Sequence, residues 1–213
     1  MAGEPPEWWR GQTPHALPAG RPDAVVISGR VIDFAAEQIP LGAQLLRHVS
    51  FEQASCSGLR IVLDELGIRV AWTEFEGCTF TQRRRRLNAD GAEPQGSLGN
   101  RPSRFSRCTF TGVRLRQRAG FSVGQARFED CLFEDCRFEE LFSYDADYVR
   151  CRFVGPIRTA VFFGTSPRTG RRNEIQDNDF TGAAIGEGVS WRAGFPLEAQ
   201  SWPAAYVPQG FSA

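Results

Sequence analysis

A chain of 213 residues with 25 basic and 25 acidic side chains has room for one domain with a sizeable core, and its zero net charge selects no class of partner. No apolar run is long enough to cross a membrane, and the first twenty residues lack the apolar stretch of a secretory signal, so a reduced cytoplasmic protein is expected. Cys56, Cys78, Cys108, Cys131, Cys136 and Cys151 form no CxxC pair and stand at no ligand spacing from His15 or His48, so neither a metal nor a cofactor is expected.

Residues 1–22 contain Trp8 and Trp9 and read as an N-terminal extension or cap. From Ala24 to Ile68 a faint period of five runs through Val26, Val31, Ala36, Leu41, Leu46, Phe51, Cys56, Ile61 and Leu66. The register slips by one residue between Arg69 and Trp72, then resumes as TEFEG and CTFTQ around Phe75 and Phe80. An excursion of low apolar content, 81–102, follows; it opens with Arg83, Arg84, Arg85 and Arg86 and reads as a protruding loop. Phe105, Phe110 and Leu115 centre the next three fives before a slip of three at 118–125.

The clearest stretch begins at Ala126, where eight consecutive fives run ARFED, CLFED, CRFEE, LFSYD, ADYVR, CRFVG, PIRTA and VFFGT. Their third places are Phe128, Phe133, Phe138, Ser143, Tyr148, Phe153, Arg158 and Phe163, and their first places are mostly Cys, Ala, Leu or Val. A period of five is neither that of an α-helix nor that of a flat strand. A short basic loop, 164–172, comes next, and NEIQD, NDFTG and AAIGE centre on Ile175, Phe180 and Ile185. Residues 197–213, with Trp202, Tyr206 and Phe211, are too apolar for a free tail.

CTFTG, ARFED, CLFED, CRFEE, ADYVR and NDFTG resemble the repeats of the pentapeptide-repeat family: a small residue, a variable one, Leu or Phe, then two polar ones. The resemblance spans Ala24 to Glu187 with interruptions and is densest from Ser103 to Gly155; it departs from the family in having few Asp or Asn at the second place. It implies an all-β fold, a right-handed four-sided parallel β-helix over 23–196 with inserted loops and capping termini. Each five would make one side, about twenty residues one rung, and rungs would stack at ~4.8 Å. Phe133 would then lie on Phe153, Phe128 on Tyr148 and Cys131 by Cys151. Members of the family often dimerise through the C-terminal end, so 197–213 would be either a cap or a homodimer contact.

No GxSxG, P-loop or HExxH is present and His48 falls on an outward place, so no catalytic residue is assigned and the chain is expected not to be an enzyme. Charge is the better guide. Between Ala126 and Gly155 eight acids face four arginines, and because successive fives lie on successive sides, Glu129, Asp130, Glu134, Asp135, Glu139 and Glu140 should girdle a rung. Arg83–Arg86 with Arg101 and Arg104 carry the opposite sign, and these twelve residues are the candidate partner-binding set. The reading is a non-catalytic binding or scaffold protein that presents loops from a rigid β-helix to a protein partner. The resemblance adds an alternative: a DNA mimic that binds DNA gyrase or another topoisomerase and confers antibiotic resistance or self-protection. A zero net charge copies a duplex poorly. Direct nucleic-acid binding is not expected, because no aromatic residue is interleaved with the arginine run.

Overall fold

The computed structural model describes residues 24–28, 31–33, 48–52, 55–63, 67–82, 96–117 and 120–211. Short strands follow one another through sharp corners, and each pairs in parallel with a strand about one coil later. Ala126–Glu129, Leu132–Glu134, Arg137–Phe138 and Leu141–Ser143 make four successive sides, after which Asp147–Val149 returns over the first. The fold is a four-sided parallel β-helix. Cys56, Phe75, Phe105, Phe128, Tyr148 and Ile175 stack along side one. Ile61, Phe80, Phe110, Phe133, Phe153 and Phe180 form side two. Side three carries Leu115, Phe138, Ile157 and Ile185. Side four is divided between two sheets, one running up to Phe121–Ser122 and the other starting at Leu141–Ser143.

The repeat works because a five-residue side sends its third residue inward, and a flat apolar ring fills the axis without leaving a polar atom to satisfy. Rings of one side stack: Phe110 on Phe133 at 5.0 Å and Phe133 on Phe153 at 5.0 Å, with planes 11° and 8° apart. Phe128 lies on Tyr148 at 5.3 Å. Rings of adjoining sides meet edge to face, Phe128 against Phe133 at 5.2 Å and 74°. Both arrangements suit the aromatic quadrupole, so each ring gains from its neighbours above, below and beside it.

Turning every five residues demands a left-handed backbone. Gly58, Gly77, Arg107, Asp130, Arg150 and Asp177 share the corner between sides one and two with φ from +51° to +64°. Glycine does this freely, whereas the four non-glycines cost about 1 kcal/mol or more apiece. Just past them, inside the same corner, sit Cys78, Cys108, Cys131 and Cys151. Each thiol donates to a carbonyl one rung below: Cys108 to Phe75, Cys131 to Phe105 and Cys151 to Phe128, at 3.3–3.5 Å. All six cysteines are buried and free. Burial pushes the Cys136 thiol up to about 12 and raises Cys131 well above the ordinary range; Cys78 rises through its hydrogen bond with Cys108 and through burial. The thiols should therefore be silent to a disulfide reagent at pH 8 in the native protein and all six should titrate in urea. Fast reaction of a native thiol would contradict the packing.

Several expected registers shift. Strand pairing sets Ile27 opposite Phe51 and Ile32 opposite Cys56, so Ile27 and Ile32, not Val26 and Val31, hold the repeat positions. The excursion expected over 81–102 is shorter. Thr79–Thr81 is strand, and the chain is back on side four at Gly96–Ser97 with Leu98 fully buried. Gly96 is required there: a Cβ would sit 1.9 Å from the Ile68 carbonyl oxygen. After Gly155 the expected centres Arg158 and Phe163 are replaced by Ile157 and Phe162. The reason is local: Arg152–Ile157 runs as one strand past the corner, with Gly155 at φ +104°, and reaches side three a residue early. Arg158 is consequently exposed. Trp8, Trp9 and the rest of 1–22 lie outside the described residues, as do Ala36, Leu41, Leu46 and Leu66.

Near the C-terminus the first place changes from Cys to Asn. Asn178 accepts from the Cys151 N–H at 2.9 Å and donates to the Tyr148 carbonyl and to Gln200 Oε1, both at 2.9 Å. Trp202 stacks on Phe180 at 4.9 Å, and Trp191 on Phe162 at 5.0 Å. Trp191 donates to the Tyr206 hydroxyl and Trp202 to the Leu197 carbonyl, which satisfies both indole N–H groups.

Candidate functional site

Stacked rungs bring outward side chains of successive coils to strand spacing, so charge order along a column decides what the surface presents. On side one Arg104 and Arg127 flank Glu129. Arg104 Nε donates to Glu129 Oε2 at 2.8 Å and Arg127 Nε to Glu129 Oε1 at 2.6 Å. Arg127 also reaches Glu174 at 2.5 Å. At the corner Arg150 grips Asp130, Nε donating to Oδ1 at 2.7 Å and Nη2 to Oδ2 at 2.9 Å, and Arg107 pairs with Glu76. On side three Arg116 pairs with Glu140 at 2.5 Å, and Arg114 approaches Glu139 at 3.6 Å.

The expected anionic girdle is therefore mostly a set of ion pairs. Arginines one rung away, which the sequence spaces at twenty to thirty residues, fall opposite the acids. Of the six acids, Glu134 and Asp135 are exposed without an ion pair among the described residues. Arg104 and Glu129 are brought into contact. Arg101 is half-buried, its Nη1 donating to the Asn100 carbonyl at 3.4 Å. Arg83, Arg84, Arg85 and Arg86 lie outside the described residues, which end at Gln82 after side two and resume at Gly96 on side four.

Burial raises the Glu129 carboxyl, but the hydrogen bonds from Arg127 and Arg104 outweigh it and hold the group below the usual range. A depressed folded pKa contributes stability above the unfolded value, near 4.3 for glutamate, and loses it as pH falls through the folded value. Glu129→Gln should therefore flatten the decline in urea-unfolding free energy between pH 6 and about pH 3. An unchanged slope would show that the pair contributes nothing to folding.

The second, basic loop over 164–172 folds back on the coil. Thr165 and Arg172 bridge antiparallel, and the buried Ser166 hydroxyl accepts from the Arg168 and Thr169 N–H groups at 3.2 Å. Arg171 donates to both Asp147 oxygens at 3.0 Å and to Asn173 Oδ1 at 2.8 Å, so its charge is spent on the coil. Between loop and side one lies a cleft of about 460 Å³ bordered by Gln125, Arg127, Asp145 and Arg172. Its cations and carboxylates are mixed, and Arg127 and Arg171 already have partners.

Three aromatics point outward where the sequence reading had put Phe163 on the axis and assigned no place to Phe142 and Tyr144. Phe142 is exposed, and Tyr144 and Phe163 are half-buried on side four. Phe142 stacks with Tyr144 at 5.7 Å and Tyr144 with Phe163 at 5.0 Å. The Arg168 guanidinium lies 3.9 Å over the Tyr144 ring. The signal was LFSYD, where the centre is Ser143 and aromatics occupy places that are polar elsewhere. Among the described residues no cluster of His, Cys, Asp or Glu is arranged to hold a metal, and no helix is long and apolar enough to cross a membrane.

No family model matches this chain, and no curated protein matches it. Among solved structures it is similar to two trypsin-treated variants of QnrB1, a plasmid-mediated fluoroquinolone resistance protein. One is 15% identical over 84% of this chain and 76% of that chain, with a TM-score of 0.29. The other is 14% identical over 79% of this chain and 91% of that chain, with a TM-score of 0.24. The four-sided coil rests on its own strand register and stacked rings, independently of that likeness.

Proposed function

We propose that this protein is a pentapeptide-repeat binding protein without catalytic activity, whose outer surface is read by a protein partner, with DNA gyrase or a related topoisomerase as the specific candidate. The observation that carries the first half is the filled axis. From Phe75 to Phe153 the inward places of sides one and two are closed by stacked rings, so recognition is confined to the outside of a rigid tube. The outside is also where the described chain departs from its repeat, at 164–173. The topoisomerase candidate is supported by the repeat resemblance, and the resistance role named for QnrB1 makes it the first partner to test. Ion-paired acids argue that any such contact would be made by local features rather than by a continuous anionic stripe.

The segment from Leu197 we infer to be a cap. Ser201 bridges Asp179 in parallel, and Trp202 covers Phe180, so the side-two column ends under an indole. The test of function is supercoiling by purified gyrase with and without a quinolone. The full chain should restore supercoiling in the drug's presence at micromolar concentration. A chain that neither binds gyrase nor alters its supercoiling would end the topoisomerase reading.

A further inference from the structure

On side four below Leu141 the outward column is polar from Ser50 up: Arg69, Ser97 and Ser122 follow it in register. Above it the rule fails. Phe142, Tyr144 and Phe163 occupy outward places over two consecutive rungs around the buried Val161, with Phe142 41% exposed. Apolar side chains in solvent-facing positions of a repeat contribute nothing to the axis, and large exposed aromatics grouped together mark contact surfaces.

What borders this patch limits its occupant. Arg168 stands over Tyr144, and Arg192 pairs in register with Phe163; both are exposed. Asp145, the acid next in the chain to Tyr144, is buried and accepts from the Thr169 hydroxyl. Glu140 at the corner with side three is held by Arg116, leaving Glu187 as the exposed carboxylate at that corner. Two copies set face to face would thus bring four guanidiniums against two carboxylates. A run of nucleobases needs successive free ring faces, yet Tyr144 at the centre is covered by Phe142, Phe163 and Arg168, which leaves Phe142 alone at the edge.

We propose that the aromatic ladder Phe142–Tyr144–Phe163, rimmed by Arg168 and Arg192, is a docking surface for a protein segment that alternates apolar side chains with carboxylates. The inference rests on the protein-binding reading and locates it on side four. Leucine or aromatic side chains would lie over Phe142 and Phe163 while carboxylates meet the two guanidiniums, the arrangement of an apolar centre with a charged rim.

The probe is a synthetic peptide alternating glutamate with leucine, followed by fluorescence anisotropy against the full chain. Micromolar binding that weakens about tenfold in Phe142→Ser and in Arg168→Glu, but not in Glu134→Lys, is the expected result. Arg168 is exposed, so Arg168→Glu keeps the test valid if Phe142→Ser fails to fold. Equal binding of a lysine–leucine or polyglutamate peptide overturns the proposal. So does preferential binding of single-stranded DNA, or a dimer in sedimentation that Phe142→Ser dissolves. If the peptide binds as expected while gyrase is unaffected, the surface stands and the topoisomerase candidate falls. If gyrase is protected equally by the Arg168→Glu chain and the peptide does not bind, the surface falls and the function stands.

Discussion

Phe133→Ala should cost the protein about 3–5 kcal/mol, read as a fall in the urea midpoint or a loss of roughly 10 °C in Tm by circular dichroism. Phe133 is fully buried and touches rings on every side: Phe110 and Phe153 in its own column, Phe128, Phe138 and Tyr148 on adjoining sides. Truncation removes the ring and leaves a void that stiff neighbouring rungs cannot close, because their spacing is set by backbone hydrogen bonds. Phe133→Leu, which keeps most of the volume, should cost well under half as much. A loss below 1 kcal/mol for the alanine variant would mean that the column is not continuous.

Asn178→Ala should destabilise by about 2–4 kcal/mol, a large effect for one amide. The Cys151 N–H and the Tyr148 carbonyl are buried and would each lose a partner, and Gln200 would lose one on the same step. Lower in the tube a thiol suffices at this place. Asn178 differs because it joins the coil to the segment that follows Leu197, through Gln200, which itself accepts from the Asn178 N–H at 3.0 Å. Gln200→Ala should therefore reproduce part of the loss, and the double variant should cost less than the sum of the two singles. Additive losses would show that the two amides act separately.

Much of this architecture was legible because one physical demand, an apolar ring at every fifth residue, recurs often enough to be counted. Phe128, Phe133, Phe138, Tyr148 and Phe153 could be placed to the residue. The errors fell where the backbone, not the side chain, decides. Nothing in VGPIRT announces that the strand runs through a corner; Arg158 holds the arithmetic position, yet Ile157 is the residue that packs. Likewise Val31 and Ile32 are equally apolar, and only pairing separates them. The charged surface was harder still. Composition listed acids and arginines correctly, but whether Glu129 is free depends on Arg104, twenty-five residues earlier and one rung below. The aromatic ladder of side four was visible as letters and misread as a failed repeat, because a rule about what fills the inside says little about what an exception does outside.

Successive rings on side two are separated by 30, 23, 20 and 27 residues, from Phe80 to Phe110, Phe133, Phe153 and Phe180, yet they lie 4.4–5.0 Å apart. Contour length and axial length are uncoupled: the tube behaves as a ruler graduated in turns, indifferent to how much chain is spooled out between marks. Segments such as 164–173 can thus be lengthened, exchanged or trimmed by evolution, or by a protein engineer, while every other feature keeps its height. A molecule built this way can change what it recognises without renegotiating how it folds.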